Sequence, residues 1–419
     1  MELYIEKFGK IKKADIKTRG LTLIAGKNDS GKSTVGKVLF AMIKSVGNWK
    51  TLYDEEFIQN ISYSDFVPLL TQIQRNITID DKFDKYINDV IADFQFLLHP
   101  ITKNAFIEYI KTIQKQDKIK NNTDIYDKIE KINLLVSKKV NDSYKMEYAF
   151  SKYFTAEFRG NLINSINRED KFIINYKVRD NKFVEITGDK KVLNSDGFNI
   201  DLENSFFRKV FMIDTPLYLG TSNFAFCNEF HQRELMKEIN NAVKQIENNN
   251  FNENIVADIT RILNGASFVY NKNNRKIEYK VSENAYPLST GNIASGAKAF
   301  GSLLILLKAG VLSKEDSFLI LDEPENHLHP QWQIDYAESI VKLVKEGFYV
   351  LSTSHSPEFI HALKYYCQKY GIWNDKANFY LSQQIQNENY CEIIDVTKDT
   401  NRIFSDLVSP SSKLFMDFK

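Results

Sequence analysis

The chain has 419 residues, of which 43% are hydrophobic and 13% aromatic, and 55 lysines and arginines face 54 acidic residues for a net charge of +1. This length suits two or three domains with a large core. The balanced charge gives no overall attraction to nucleic acid or to an anionic membrane. No apolar stretch has the length of a signal peptide or membrane span, and the three cysteines form no metal or disulfide pattern, so we expect a cytoplasmic protein without a membrane partner.

The N-terminal region begins with three short strands, followed by a glycine-containing loop and a helix. Turn residues at Gly9 and Gly20 separate strands predicted at 2–7, 11–17 and 20–25. A helix is predicted from about Lys32, because apolar residues then recur at helical spacing. We assign residues 1–48 to the first part of the main domain.

Residues 49–160 differ in composition and are predicted to be a helical insertion. They contain almost no glycine, and isoleucine, phenylalanine and tyrosine recur every three or four residues. A basic stretch at Lys111, Lys115, Lys118 and Lys120 is interpreted as a solvated helix face rather than a nucleic-acid contact.

Residues 161–400 alternate between strands and helices. Hairpins are predicted at 171–188 and 267–281, and residues 401–419 form a tail. The remaining strands are predicted at 210–213, 317–321 and 348–352, and the helices at 229–248, 252–263, 295–309, 330–345 and 357–369. Alternation of this kind predicts an α/β fold with a mainly parallel sheet covered on both faces and an antiparallel β subdomain.

The loop after the third strand has the full pattern G-x-x-x-x-G-K-[ST] of a phosphate-binding loop. It lies between an apolar strand and a helix, as this motif requires. Glycines let successive backbone N–H groups point at phosphate oxygens, and the helix N-terminus adds positive charge. Lys32 is expected to reach the β- and γ-phosphates of ATP, and the Ser33 hydroxyl to bind Mg²⁺. The predicted nucleotide-binding residues are Gly26, Lys27, Asn28, Asp29, Ser30, Gly31, Lys32, Ser33 and Thr34.

Two carboxylates follow the apolar strand that ends at Leu321. We expect Asp322 to hold Mg²⁺ directly or through water, and Glu323 to polarise the attacking water as the general base. A third group, His355, follows the next apolar strand, where it can hydrogen-bond the γ-phosphate and sense its loss.

A run of small residues leads into the apolar helix at 295–309. Ser295 and Gly296 at the helix start form a further candidate anion-binding N-terminus. An ordinary N-cap has a similar pattern, and what favours function is the position some two dozen residues before Asp322.

In this order, the motifs resemble the ATP-binding-cassette (ABC) ATPase heads with their P-loop NTPase fold. More specifically, the chain resembles the overcoming-lysogenization-defect-like ATPases, which are related to RecF and SMC heads. This resemblance lies in Asp322–Pro330, Thr353–Pro357 and the opening Ile5–Gly9. The resemblance covers about residues 1–45 and 205–400. Two features depart from it: the signature lacks the full Leu-Ser-Gly-Gly-Gln of transporter subunits, and the Gln-loop has no clear residue, with residues 214–216 as the candidate region.

In such families two heads bind ATP face to face, and the signature of one touches the γ-phosphate held by the other. The resemblance therefore implies a homodimer or higher oligomer, in which Ser295, Gly296 and Lys298 act in trans. About 60 residues follow His355, too few for the Toprim nuclease domain of some relatives, so any nuclease or toxin would be a separate effector protein.

Three functions agree with these observations. The first is the sensor or regulatory ATPase of a bacterial antiphage system resembling Septu or PARIS. The second is a RecF- or SMC-like clamp that binds duplex DNA, which keeps nucleic acid open as a partner. The third, a transporter subunit, is disfavoured by the helical insertion and the altered signature.

Overall fold

The computed structural model describes residues 1–60, 141–160, 171–177, 183–188, 207–215, 229–244, 253–271, 276–282 and 284–408, together with residues 193–194 and scattered single positions, most of them between 68 and 130. The chain divides into two units. One comprises Met1–Gly47 and Phe150–Lys419, and the other comprises Asn48–Ala149.

The first unit is built on one large mixed sheet with strand order β6-β5-β4-β1-β2-β14-β13-β3-β12-β11-β7. A small antiparallel sheet has the order β10-β9-β8. The strands are β1 (Glu2–Phe8), β2 (Ile11–Lys17), β3 (Leu21–Gly26), β4 (Phe172–Lys177), β5 (Phe183–Gly188), β6 (Leu193–Asn194), β7 (Lys209–Ile213), β8 (Ser267–Asn271), β9 (Lys276–Lys280), β10 (Leu288–Ser289), β11 (Ser317–Asp322), β12 (Tyr349–Ser354), β13 (Ala377–Gln384) and β14 (Cys391–Asp395).

The centre of the large sheet is parallel. Strand β3 pairs in parallel with β12 on one side and β13 on the other, and β12, β11 and β7 continue in the same direction. All six residues of β3 are buried, as expected of an apolar strand covered on both faces. Because these strands are parallel, the chain leaves them at one shared edge, which confirms the predicted α/β architecture and brings the motifs that follow them together.

The antiparallel part belongs to the same sheet rather than to a separate layer. Strands β4 and β5 form the predicted hairpin, whose turn residues 179–181 lie outside the described residues. Burial along β4 alternates strictly, which is the pattern of a strand with one face on the core. The link to the parallel strands runs through β14, which pairs in parallel with β2.

Helices cover this sheet, and several begin where the sequence supplies a cap. Ser356 Oγ accepts a hydrogen bond from the N–H of Phe359, and proline occupies the first helical position at Pro330 and Pro357. Within the described ranges, no helix is both long and apolar enough to cross a membrane. The helices are α1 (Lys32–Asn60), α2 (Asp142–Phe158), α3 (Phe230–Ala242), α4 (Glu253–Ile262), α5 (Ser295–Lys308), α6 (Pro330–Lys345), α7 (Pro357–Lys369) and α8 (Trp373–Lys376), and residues 401–408 are also helical.

Nearly all described residues of the second unit are helical. Tyr53 on α1 packs edge-on against Tyr144 and Tyr148 on α2, with ring centroids 5.5 and 5.2 Å apart. Most of the residues that predicted its other helices lie outside the described residues, as do Lys118 and Lys120 of the basic stretch.

Candidate nucleotide-binding site

The predicted phosphate loop joins β3 to α1, and two of its glycines cannot be replaced without strain. A Cβ on Gly26 would stand 2.7 Å from the carbonyl oxygen of Ser382. Gly31 has φ +85°, in the left-handed region that side chains disfavour. The tip of the loop is exposed at residues 27–29, whereas Ser30 and Lys32 are buried and Ser33 and Thr34 are half-buried.

The interior of this loop has polar groups that suit a phosphate. Ser30 Oγ is buried and has no hydrogen-bond partner in the described part of the chain. The Lys32 side chain is only 3% exposed, and its Nζ donates to the carbonyl of Lys27 at 2.6 Å and lies 3.4 Å from Glu323 Oε1. A buried ammonium and an unpartnered hydroxyl at a helix N-terminus fit the triphosphate of ATP.

Residues near the C-terminus brace the loop from outside. Ser382 Oγ on β13 donates to the carbonyl of Ser30 at 2.5 Å. Lys27 forms an ion pair with Asp406 in the 401–408 helix at 3.1 Å, and Asp29 pairs with Lys10. The loop is therefore held by strands and a helix that come from both ends of the chain.

Asp322 ends β11 directly beside Ser33. Its Oδ1 accepts hydrogen bonds from Ser33 Oγ at 2.9 Å and from Thr353 Oγ1 on the neighbouring strand β12. Burial raises the pKa of Asp322, although these two hydrogen bonds act in the opposite direction. A buried carboxylate beside a hydroxyl fits Mg²⁺, which binds few protein ligands and keeps phosphate oxygens and waters for the rest. Among the described residues, this site included, no three His, Cys, Asp or Glu side chains are grouped to hold a metal by themselves.

Glu323 adopts a backbone conformation that is unusual for its side chain. Its φ is +49°, and its N–H donates to Thr353 Oγ1 at 3.0 Å, which fixes this turn. Asn326 Nδ2 donates to Glu323 Oε2 at 3.1 Å, and His355 Nδ1 lies 3.3 Å from Oε1. Burial alone would raise the pKa of Glu323, but Asn326, Lys32 and His355 together lower it. The side chain is therefore an ionised carboxylate, the form that a general base requires.

His355 is positioned by a carboxylate that the sequence did not single out, Glu325. Glu325 is 4% exposed, and its Oε1 accepts hydrogen bonds from Ser354 Oγ at 2.6 Å and from the N–H groups of His355 and Ser356 at 3.0 and 3.2 Å. The His355 side chain itself remains 36% exposed. The turn after β12 is thus fixed, while the imidazole stays open to a ligand.

The predicted signature residues lie at the start of α5, which begins at Ser295 as expected. Ser295 Oγ donates to the carbonyl of His327 at 3.1 Å. A Cβ on Gly296 would stand 2.2 Å from the Trp332 ring, so only glycine fits there. Lys298 is buried, with its Nζ 3.4 Å from the carbonyl of Gly291. Within the described residues, no hydrogen bond or ion pair joins these three residues to the phosphate loop.

A buried charged cluster on the other side of Asp322 was not predicted. His231, near the start of α3, is fully buried between Glu157 at the end of α2 and Asp214 after β7. Its Nδ1 lies 2.6 Å from Glu157 Oε1, and its Nε2 lies 3.1 Å from Asp214 Oδ2. Gln232 Nε2 donates to the same Asp214 oxygen at 2.7 Å. We call these four residues the histidine network.

His231 is positively charged in this network. Burial alone would lower the pKa of His231, but the carboxylates of Asp214 and Glu157 outweigh it and raise the pKa to about 9. The one sequence signal for the network was the position of Asp214 at a strand end, in the region considered for the Gln-loop.

Comparison with known proteins places this site in context. A family model described as an AAA ATPase domain matches residues 1–360. Among solved structures, the chain is similar to an SmcHead bound to the C-winged helix domain of ScpA, with 10% identity, TM-score 0.45 and coverage of 96% of this chain and 98% of that one. It is also similar to the SMC head domain from Thermotoga maritima, with 11% identity, TM-score 0.40 and 94% and 98% coverage. A third similar structure is the Smc head domain derived from Pyrococcus furiosus, with 10% identity, a TM-score of 0.41 and coverage of 97% of this chain and 98% of that one. No curated protein matches the chain.

Proposed function

Because the chain belongs to the AAA ATPase domain family, we propose that it is an ATP-hydrolysing switch whose site is completed by a second copy of the chain. The proposal rests on two strand ends that meet beside Lys32. The end of β11 supplies Asp322, which contacts Ser33, and Glu323, which lies 3.4 Å from Lys32. The end of β12 supplies His355, which lies beside Glu323.

Each residue of this cluster has one task in the proposed reaction. Lys32 and the backbone of the phosphate loop hold the triphosphate, and Ser33 and Asp322 hold Mg²⁺, which when bound would neutralise charge on the β- and γ-phosphates. Glu323 takes a proton from the attacking water. His355 donates a hydrogen bond toward the γ-phosphate, and Glu325 keeps it there.

The second copy is proposed to contribute the start of α5. The N–H groups after Ser295 remain at a helix N-terminus, where they can meet a γ-phosphate bound to the partner. Lys298, which is buried against Gly291, would support this loop. Closure would then depend on the γ-phosphate, and hydrolysis would release the two copies.

Glu323→Gln is the central test. The variant should bind ATP but hydrolyse it about 1,000-fold more slowly, because an amide cannot accept the proton. It should accumulate as a dimer in ATP and Mg²⁺, measured by light scattering on a sizing column, and return to monomer in ADP. Glu315→Gln, an exposed glutamate just before β11, is the matched control and should hydrolyse ATP like the wild type.

Ser295→Arg tests the contribution in trans. We expect it to bind ATP normally but neither dimerise nor hydrolyse, because the arginine side chain would occupy the space of the partner's γ-phosphate. A mixture of Ser295→Arg with Lys32→Ala should recover part of the hydrolysis, since one intact composite site can still form. Wild-type hydrolysis by Ser295→Arg alone would contradict the composite site.

The biological role that we propose is regulation of a separate nuclease or toxin in a bacterial antiphage system. Support comes from the likeness of Asp322–Pro330 and Thr353–Pro357 to the overcoming-lysogenization-defect-like ATPases. An affinity-tagged chain, expressed with the neighbouring genes, should retain an effector protein in an ATP-dependent manner. Salt-sensitive, ATP-dependent binding to duplex DNA without any retained protein would instead favour a DNA clamp.

A further inference from the structure

The histidine network is part of a larger set of charges that runs from buried residues to the exposed Arg159. Lys37 on α1 lies 4.0 Å from Glu157 and 3.4 Å from Glu229, and Arg159 lies 2.8 Å from Glu229. Three carboxylates and three cations therefore face one another. The carboxylates belong to Glu157, Asp214 and Glu229, and the cations belong to Lys37, Arg159 and protonated His231.

Holding helices together with buried charges has a cost in desolvation free energy. Burying ion pairs removes charges from water, and well-packed apolar residues often stabilise a core at least as well. His231 and Glu157 are both fully buried, so this general cost of desolvation applies to them. A role in placing a charged group is a better account of these residues than stability alone.

The group that the network places is the Asp214 carboxylate. Strand β7 pairs in parallel with β11, with Ile213 opposite Leu321, so Asp214 and Asp322 leave neighbouring strands at the same edge. Such strands lie about 4.8 Å apart. The charge of Asp214 acts on Asp322, which agrees with this placement. His231 and Gln232 both hold Oδ2 of Asp214, which fixes the orientation of the carboxylate.

We infer that the histidine network is a positioning device for hydrolysis: it turns the Asp214 carboxylate toward the water shell of the cation held by Ser33 and Asp322. Glu157, His231 and Gln232 are positioning residues in this assignment, because they act through Asp214. Glu157 also makes the end of α2 part of the device, so a shift of that helix would change the position of an acid beside the reacting phosphate. The inference rests on the proposed function of Glu323 and Asp322 in ATP hydrolysis.

The first experiment compares Asp214→Asn with the wild type in steady-state hydrolysis. We expect kcat to fall 20- to 100-fold and the KM for ATP to change less than threefold, because nucleotide binding depends on the phosphate loop. The Mg²⁺ concentration for half-maximal hydrolysis should rise about fivefold. A network that only stabilises the fold would change the midpoint of thermal unfolding and leave both values unaltered.

The second experiment asks whether the network acts through Asp214. Glu157→Gln keeps one oxygen, which can accept from the backbone N–H of His231, but loses the second acceptor, which faces His231 Nδ1, together with the charge. It should lower kcat about fivefold to tenfold. In the double variant with Asp214→Asn, kcat should be no lower than in Asp214→Asn alone. Multiplicative losses in the double variant would overturn the inference, because Glu157 would then act by another route.

A matched control removes an ion-pair network away from the site. Lys342→Met breaks a pair with Asp258 at 2.6 Å, which joins α6 to α4, and a pair with Glu338 at 3.4 Å within α6. It should lower the unfolding temperature slightly and leave kcat and the Mg²⁺ dependence unchanged. If Asp214→Asn behaves like Lys342→Met while Glu323→Gln is inactive, the inference is wrong and the proposed function stands. If Glu323→Gln is fully active, the proposed function itself is wrong.

Discussion

Two histidines of this chain each lie between two carboxylates, yet their surroundings differ sharply. His231 is fully buried, and both of its ring nitrogens face carboxylate oxygens at 2.6 and 3.1 Å. His355 is 36% exposed, and its Nδ1 lies 3.3 and 3.6 Å from Glu323 and Glu325. The first imidazole is fully engaged by the protein, whereas the second retains capacity for a ligand.

The difference shows how one residue type can serve two purposes in one site. A buried imidazolium between two anions holds the segments that carry them together, because removal of its charge would take a cation from the buried Glu157 and the half-buried Asp214. An open imidazole beside a catalytic carboxylate can meet a substrate that arrives and leaves. Substitution should therefore lower the stability far more at His231 than at His355, whereas the reaction rate should depend on His355 directly and on His231 only through Asp214.

The largest effect is expected from His231→Leu. Removing the cation leaves the buried Glu157 and the half-buried Asp214 beside an apolar side chain, so the free energy of unfolding should fall by about 3 to 5 kcal/mol. Urea unfolding, monitored by circular dichroism, measures this free energy in the variant and the wild type. The same change at His355 should cost less than about 1 kcal/mol, and equal losses at the two positions would remove the distinction.

His355→Ala should have the opposite profile. The rate of hydrolysis is expected to fall about 100-fold, since a hydrogen-bond donor to the transferred phosphate is lost, while the unfolding midpoint stays nearly constant. Phosphate release measures the rate of hydrolysis, and thermal unfolding measures the unfolding midpoint. His361→Ala, an exposed histidine on α7, serves as the control and should match the wild type in both.

A third prediction concerns pH. Because the pKa of His231 is raised from 6.5 to about 9, its contribution to the free energy of unfolding is complete below pH 6.5 and is lost as pH rises through about 9. Between pH 6 and 8 the wild type should lose about 2 kcal/mol of stability that His231→Leu does not lose. Unfolding curves of both proteins at several pH values test this, and parallel curves would contradict it.

The smallest effect sharpens the role of Glu325. All three of its donors meet one oxygen, Oε1, which an amide also offers, so Glu325→Gln should cost under about 1 kcal/mol and leave hydrolysis within a few fold. Glu325→Ala should cost about 2 kcal/mol and slow hydrolysis, because the turn that carries His355 loses its acceptor. If Glu325→Gln lowers stability and hydrolysis as much as Glu325→Ala, the negative charge of Glu325 is what the turn requires, rather than its hydrogen bonds.

The part of the site that could be predicted is the part encoded by contiguous motifs. Residues 26–34 form a complete motif between a strand and a helix, and Asp322 directly follows an apolar strand. The positions of Lys32, Ser33 and Asp322 in the fold therefore follow from the local sequence. The roles assigned to these residues in catalysis, and those of Ser295 and Gly296 in trans, stay predictions.

The histidine network could not be predicted because no segment contains it. Glu157 and His231 are 74 positions apart, and neither has neighbours that mark it. Its pairing depends on how α2 and α3 pack beside β7, which periodicity does not encode. The antiparallel strands show the same limit: alternation predicted the β4–β5 hairpin, but the connection of β2 to β14 depends on residues near the other end of the chain.

The position of β3 in the sheet has a consequence for the synthesis of the protein. This strand ends at residue 26, yet its two neighbours are residues 349–354 and 377–384, so its edges stay unpaired while more than 320 further residues are made. At 5 to 20 residues per second, translation of that stretch takes roughly 15 to 65 s. An apolar strand exposed for so long is a target for chaperones and for aggregation. A nascent chain also cannot form the nucleotide site until translation has passed His355, so ATP can be bound only after β11 and β12 have been made.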